Sequence, residues 1–305
     1  MTRAPLALPL PLPPPPVLTG EALKRGMAHS LHALRQRWDC LGPDCPHANG
    51  LRSWCKLPSR IQLQQGWCCS PDCFQQAFEM LAAPLLHGMA QPHHPRQHRV
   101  PLGLVLLSRG EITHEQLLGA LDQQRERGHG RIGDWLMRAG AVGEEDVADA
   151  VALQWARPTF PLAQSLSWQL CRGWVPLAIQ EKLRMLLVHF AAPRRRLYVA
   201  FTQQVDFRAL AGLAEVFECK VESCIVTDSA MQAVFEQMHQ MPGHDQLQDI
   251  SFDHMGDARE VAAAVRQYAR YAEARQIRLA AFGPYLWVRI KGDRMMHLTF
   301  RCREQ

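Results

Sequence analysis

The chain has 305 residues, a net charge of +5 and a pI of about 8.7, and its 47% hydrophobic and 21% charged composition is typical of soluble globular proteins. This length is enough for two or three domains with cores of their own. The mild positive charge does not by itself indicate nucleic-acid binding, and no run approaches the roughly 20 apolar residues that a membrane span needs. We therefore expect a soluble, cytoplasmic protein without membrane insertion.

The first 20 residues are rich in leucine and proline, with prolines at Pro9, Pro11 and Pro13 to Pro16. Proline at this density cannot form the helix of a signal peptide. We predict a disordered or polyproline II tail over residues 1–20, which is either a plain extension or a docking peptide.

A cluster of cysteines follows, over a Cys-rich region at residues 21–90. Six of the ten cysteines lie between Cys40 and Cys73. Without a secretion signal the default compartment is reducing, and there clustered cysteines favour a metal over disulfides. Zinc prefers four tetrahedral ligands, usually as two pairs on separate turns. The predicted ligands of one structural zinc ion are Cys40, Cys45, Cys69 and Cys73.

Alternatives remain open within this region. Cys55, Cys68 and His47 are alternative ligands, and the cysteines could instead be buried free thiols or form a disulfide framework. Residues 66–73 look like a zinc-ribbon or treble-clef knuckle that leads into a helix over residues 74–86. We find no HxE or HExxH motif and expect no open catalytic metal site.

An internal repeat occupies residues 96–158. Every member of the first copy has a partner in the second at one constant offset, without a gap. The first copy comprises Pro101, Leu102, Gly103, Leu106, Gly110, Leu117, Leu121 and Gln124; the second comprises Arg131, Ile132, Gly133, Leu136, Gly140, Val147, Val151 and Gln154. Two copies of one short unit are expected to pack so that each buries the apolar face of the other.

Each copy predicts a helix, a glycine turn and a second helix. Thr113, followed three residues later by Gln116, has the form of a capping box. Leu117 and Leu121 then form an apolar stripe with helical spacing. The simplest interpretation is a small helical domain that binds nothing.

The tandem pattern R-L-G-x-x-L-x-x-x-G-x(6)-L-x-x-x-L-x-x-Q resembles the N-terminal domain of type II secretion and type IV pilus assembly ATPases. That domain is the MshEN domain, a receptor for cyclic di-GMP. The second copy matches well. The first has Pro101 in place of the arginine, and Arg99 lies two residues earlier as a substitute. The spacer at residues 125–130 is about one residue longer than the family pattern.

The resemblance implies a nucleotide site at the motif positions of both copies. The implied residues are Arg99, Leu102, Gly103, Gly110, Gln124, Arg131, Ile132, Gly133, Gly140 and Gln154. Arginine can stack on guanine or pair with phosphate, glycine lets the backbone approach closely, and glutamine both donates and accepts. The alternative is that the glycines serve turns and the glutamines cap exposed helix ends.

The pattern changes to mixed α/β over residues 159–241. Helices are predicted at 177–182, 207–217 and 229–238, and strands at 185–190, 197–201 and 220–225. The triple arginine at 194–196 is expected at a charged hairpin tip, with contact to an acidic ligand as the alternative. This segment resembles the one that follows the repeat in secretion ATPases, although the proline expected before Asp206 is absent.

After a polar stretch at 242–255, residues 255–305 predict one helix at 257–274 and strands at 277–281, 285–290 and 296–300. The predicted fold class is therefore an α+β multidomain protein. Its parts are the Cys-rich zinc-knuckle region, the tandem-repeat helical domain, the α/β domain and a C-terminal helix plus short antiparallel sheet.

The sequence contains no G-x-x-x-x-G-K-[ST] motif, so we expect sensor or adaptor parts without an ATPase and no enzyme activity. The leading hypothesis is a cyclic di-GMP sensor or adaptor whose partners are secretion or pilus machinery proteins. The alternative is a ligand-free protein–protein interaction module of such a system. A zinc-dependent nucleic-acid binder is a third hypothesis, disfavoured because the basic residues are dispersed.

Overall fold

The computed structural model of the chain describes residues 40–45, 60–64, 66–89, 99–241, 247–253 and 257–301. The prediction for the tail at residues 1–20 lies outside these ranges, as do the alternative ligands His47 and Cys55. Within the described part, none of the helices combines the length and the apolarity needed to cross a bilayer.

The Cys-rich region forms a short hairpin and one long helix. Strands β1 (Ile61–Leu63) and β2 (Gly66–Cys68) pair antiparallel, and helix α1 (Pro71–Met89) follows. Cys73, Phe74, Ala77, Phe78 and Ala82 form the buried face of α1. Their spacing of three and four residues places them along one side of the helix.

The repeat forms four helices, two for each copy. They are α2 (Leu102–Ser108) and α3 (His114–Arg127), then α4 (Ile132–Arg138) and α5 (Glu144–Trp155). Their common core includes Val105, Leu106, Trp135 and Leu136. The predicted order of helix, glycine turn and helix is confirmed in both copies.

The α/β region contains a three-stranded sheet with helices packed on it. Two short 3-10 helices precede α6 (Leu177–Lys182), β3 (Met185–Ala191), β4 (Arg196–Phe201), α7 (Phe207–Phe217), β5 (Lys220–Ile225) and α8 (Asp228–Gln240). Strand β4 is central, antiparallel to β3 and parallel to β5. Every element predicted for this region is present, because strongly apolar runs alternate here with clear turn signals.

The C-terminal region adds β6 (Leu247–Asp253), α9 (Ala258–Tyr271), β7 (Gln276–Phe282), β8 (Tyr285–Lys291) and β9 (Met295–Arg301). The six strands of its sheet are ordered β2-β1-β7-β8-β9-β6. The sheet is therefore larger than the short antiparallel sheet that the sequence predicts. That prediction holds for β7, β8 and β9, but β6 pairs parallel with β9, and β1 pairs parallel with β7.

The sequence does not predict strand β6, because the strand lies in the polar stretch at 242–255. Its apolar residues Ile250 and Phe252 alternate with Asp249, Ser251 and Asp253, which is the period of a half-buried strand. Phe252 stacks on Phe300 of β9 with ring centroids 4.7 Å apart. That packing partner lies far along the chain, so the short local pattern gave little indication of the strand.

The Cys-rich region and the C-terminal region share one hydrophobic core. Phe74 and Phe78 of α1 belong to the same buried cluster as Val261 and Val265 of α9. Arg266 donates to Gln75 at 2.8 Å and pairs with Asp72 at 3.2 Å, which ties α9 to α1 along one side. The two regions, predicted as separate parts of the chain, are thus joined by both a sheet and a helix pair.

Candidate functional site

Four cysteines converge beside the start of α1. One sulfur from each of Cys40, Cys45, Cys69 and Cys73 lies within 4.8 Å of all the others. The Sγ atoms of Cys45 and Cys69 are 3.4 Å apart, and those of Cys69 and Cys73 are 3.8 Å apart. These are the four cysteines that the spacing singled out, and Cys68 lies outside the group.

Local backbone structure explains how the four thiols meet. Cys45 donates its backbone N–H to the carbonyl of Gly42 at 3.2 Å, which closes a turn between the first two cysteines. Cys73 lies in the first turn of α1, and its N–H is capped by Ser70 Oγ at 3.2 Å. A side chain at Gly42 would place its Cβ 2.7 Å from Cys73 Cβ, so this position requires glycine.

Hydrogen bonds distinguish the sulfur of Cys40 from the others. It accepts backbone N–H groups from Cys69 at 3.3 Å and from Gly42 at 3.5 Å. The hydrogen bond from the Cys68 thiol, helped by these amides, lowers the pKa of Cys40 to about 4. Burial raises the pKa of Cys69 and Cys73.

The cluster has the geometry of a tetrahedral thiolate site. Zinc–sulfur bonds of about 2.3 Å place the four sulfurs of such a site about 3.8 Å apart. The observed separations of 3.4 and 3.8 Å match this with small adjustments. Amide groups that donate to a ligand sulfur are the usual outer-shell support of a metal–thiolate centre. The residues present therefore fit a closed, structural ion.

In the repeat, the two glycine turns have the same conformation. Gly110 and Gly140 adopt left-handed φ values of 75° and 67°. The next N–H in each copy donates back into the preceding helix, from Glu111 to Leu106 at 3.1 Å and from Ala141 to Leu136 at 3.0 Å. Both are Schellman caps, which explains these glycines without any ligand.

The two glutamines close the repeat into a reciprocal pair. Gln124, near the end of α3, donates to the carbonyl of Gly130 at 2.8 Å, just before the second copy starts. Gln154, near the end of α5, donates to the carbonyl of Val100 at 2.6 Å, just before the first copy starts. Each glutamine thus anchors the backbone just before the start of the other copy. The side-chain amides of both glutamines are already bonded to backbone carbonyls.

Gly103 and Gly133 occupy buried positions inside α2 and α4. A Cβ at Gly103 would lie 2.5 Å from a methyl of Leu117, and one at Gly133 would lie 3.2 Å from a methyl of Val147. Both glycines therefore let the first helix of each copy pack closely on the second helix of that copy. Leu102 and Ile132 are half-buried beside them in the core.

Arg99 and Arg131 line one cleft of about 590 Å³ between the repeat and the α/β region. Arg99 lies over the Trp155 ring, 3.0 Å from its centroid, and donates to the Gln154 carbonyl at 3.3 Å. Burial, together with nearby Arg157, lowers its pKa. Arg131 is exposed at the start of α4. The turns at Gly110 and Gly140 lie at the opposite ends of the short helices, roughly 10 Å away along their axes.

The opposite wall of the cleft was not singled out in the sequence. It carries Lys182, Arg184, Phe207 and Arg208, with Gln203 and Gln204 between them. These residues come from two separate segments of the α/β region, the end of α6 with the residues before β3, and the β4–α7 connection with the first turn of α7. No local spacing relates them to the repeat, so only the packing of the two parts brings them to Arg131.

Comparisons with known proteins give similarity to solved structures alone. No protein-family model matches the chain, and no curated protein matches it. A structure of MshE with cdg is 24% identical and covers 46% of this chain and 99% of that chain, with a TM-score of 0.39. Two structures of the N-terminal domain of XpsE are 17% and 21% identical. They cover 48% and 43% of this chain and 98% and 89% of theirs, with TM-scores of 0.34 and 0.27.

The chain is similar to a structure of MshE and to the N-terminal domain of XpsE, in line with the resemblance predicted from its repeat.

Proposed function

We propose that the protein is a non-enzymatic cyclic di-GMP sensor or adaptor of a secretion or pilus system, acting in the cytoplasm. The observation that carries this proposal is the position of Arg99 and Arg131 on a single cleft. The two arginines start the two copies of the repeat, so one ligand with two equivalent halves can meet both.

The size and chemistry of the cleft suit this ligand. Clefts that hold small ligands usually measure about 300–1,000 Å³, and this one lies in that range. A cyclic dinucleotide carries two phosphates for arginine to pair with and two flat bases that stack on aromatic or guanidinium planes. Trp155 and Phe207 both line the cleft, with ring centroids 6.0 Å apart.

The two arginines are not equivalent. Arg99 is already stacked on Trp155 and bonded to the Gln154 carbonyl. Within the described part of the chain, the guanidinium of Arg131 has no ion pair or hydrogen bond and is exposed to the cleft. We therefore expect Arg131 to contribute the stronger contact and the ligand to bind asymmetrically.

Calorimetric titration with cyclic di-GMP tests the proposal. We expect weak binding by the wild type, no detectable binding by Arg131→Ala, and binding weakened roughly tenfold to a hundredfold by Arg99→Ala. Arg127→Ala, an exposed arginine of the same repeat that does not line the cleft, is the matched control. Tight binding that Arg131→Ala leaves unchanged would show that the residue assignment is wrong.

The second candidate is a ligand-free interaction module. It is favoured by the structural roles that account for Gly103, Gly110, Gly133 and Gly140 without a nucleotide. No heat of binding with any cyclic dinucleotide, in protein whose fold is intact by circular dichroism, would support this candidate over the first.

The cysteine cluster is proposed to hold one structural zinc ion through Cys40, Cys45, Cys69 and Cys73. The ion would tie the turn at Gly42 to the start of α1, and its binding free energy would add directly to folding. Metal analysis of protein purified under reducing conditions should give about one zinc per chain. Cys69→Ser should release it and unfold the Cys-rich region, whereas Cys219→Ser, a half-buried cysteine of the α/β region, should retain it. A stoichiometry near zero in the wild type would exclude the ion.

A further inference from the structure

The cleft carries more positive charge than the repeat motif accounts for. Besides Arg99 and Arg131, three cations of the α/β region line it: Lys182 at the end of α6, Arg184 just before β3, and Arg208 in the first turn of α7. All three are exposed. Five cations of the described chain thus face one space.

Little negative charge offsets them. Among the described residues that line the cleft, Asp206 is the one carboxylate, and its Oδ1 accepts the N–H groups of Arg208 and Ala209 at 2.9 and 3.0 Å as the cap of α7. Arg184 pairs with Asp228 at 3.3 Å, so its charge is partly offset from outside the cleft lining. The charge excess favours an anion between the walls.

Arg208 is the best placed of these cations for a phosphate. Within the described residues its guanidinium makes no hydrogen bond or ion pair. It follows Phe207, a residue that is 42% exposed and whose ring centroid lies 6.0 Å from that of Trp155. A planar guanidinium binds a phosphate through two parallel N–H groups, which a lysine cannot do. A base on the Phe207 ring and a phosphate on Arg208 would therefore be adjacent.

We infer that the α/β region supplies a phosphate contact of its own, with Arg208 binding the phosphate on the side of the first copy. This inference rests on the function proposed above. Proline at position 101 has no side-chain donor and no N–H, and Arg99 is held by Trp155 and the Gln154 carbonyl, so the first copy needs a further cation beside Arg99. The ligand would then contact both walls and link the repeat to the α/β region.

Titration of the full chain with cyclic di-GMP tests this inference through Arg208→Gln. We expect the dissociation constant to rise roughly tenfold to a hundredfold. Arg194→Gln, an exposed arginine at the β3–β4 hairpin outside the cleft, should leave it unchanged. Because Arg208 is exposed, both variants should keep the wild-type melting temperature.

A second titration uses GMP, which carries one phosphate and one base. If Arg131 and Arg208 hold different phosphates, GMP should bind more weakly than the cyclic dinucleotide, and the affinity ratio of the two ligands should shrink in Arg208→Gln. Wild-type affinity in Arg208→Gln with loss of binding in Arg131→Gln would overturn this inference and leave the proposed function standing. No binding by the wild type would overturn both.

Discussion

The two copies of the repeat have the same local structure and different surroundings. Their turns and the hydrogen bonds of their glutamines correspond one to one, and so do the buried positions of their first helices. In the second copy, however, Ala148, Val151 and Ala152 belong to the core of the α/β region. In the first copy Leu118, the equivalent of Ala148, is 46% exposed. One sequence pattern thus produces one local fold, and its neighbours decide which faces are buried.

The largest expected difference between the copies is in the stability effect of a charge at Ala148 or at its equivalent Leu118. Ala148→Glu would place a carboxylate in an apolar core beside Glu145 and Asp149, and should lower the free energy of unfolding by about 3 kcal/mol or more. Leu118→Glu should change it by less than about 0.5 kcal/mol, as at other exposed positions. Urea denaturation of both variants measures the two values. Equal losses would mean that the two faces are equally covered.

Substitution of the glycines inside the first helices should give a smaller difference in the free energy of unfolding between the two copies. Gly103→Ala forces the buried Leu117 side chain to move and should cost about 1–2 kcal/mol, because overpacking exceeds the gain in helix propensity. In Gly133→Ala the closest atoms, on Val147 and Leu102, are 3.2 and 3.3 Å from the new Cβ. There the gain of about 0.5–1 kcal/mol should roughly offset the crowding. Thermal melting of both variants checks the order, which a costlier Gly133→Ala would reverse.

The hydrogen bonds of Gln124 and Gln154 should contribute equally to stability. Gln124→Ala and Gln154→Ala each remove one exposed hydrogen bond to a carbonyl, and each should cost about 1 kcal/mol. Gln123→Ala, on the exposed side of α3, is the control and should be neutral. A loss confined to Gln154→Ala would show that the closure is one-sided, in conflict with the reciprocal arrangement.

The smallest effect concerns the caps of the second helices. Thr113 caps α3 with its side chain, and Gly143 occupies the same position before α5 with an extended backbone that accepts any residue. The two substitutions should therefore change the free energy of unfolding in opposite directions. Thr113→Gly should lower it by a few tenths of a kcal/mol, and Gly143→Thr should raise it by as much. Precise denaturant midpoints are needed. Two changes of the same sign would contradict the equivalence of the caps.

The features of the candidate sites that lie within one short segment were predictable from sequence. The cleft between the repeat and the α/β region was not. The spacing of two pairs favoured Cys40, Cys45, Cys69 and Cys73 over the alternatives Cys55, Cys68 and His47, and these four sulfurs converge. The turns at Gly110 and Gly140 followed from their positions between apolar stripes. Lys182, Arg184 and Arg208 have no mutual spacing in the sequence, and the parallel pairing of β6 with β9 joins segments about 50 residues apart. Contacts between segments this far apart are not predicted by the pattern of a short stretch of sequence.

The sequence by itself determined the repeat, the four converging cysteines and nearly all elements of the α/β region. These depend on periodicity, capping and turn residues, whose physics acts within a few residues. Only the tertiary structure decided that the Cys-rich and C-terminal regions share one sheet and that five cations face one cleft. Those features depend on how apolar faces pack together, and many partners satisfy an apolar face equally well until the whole core is assembled.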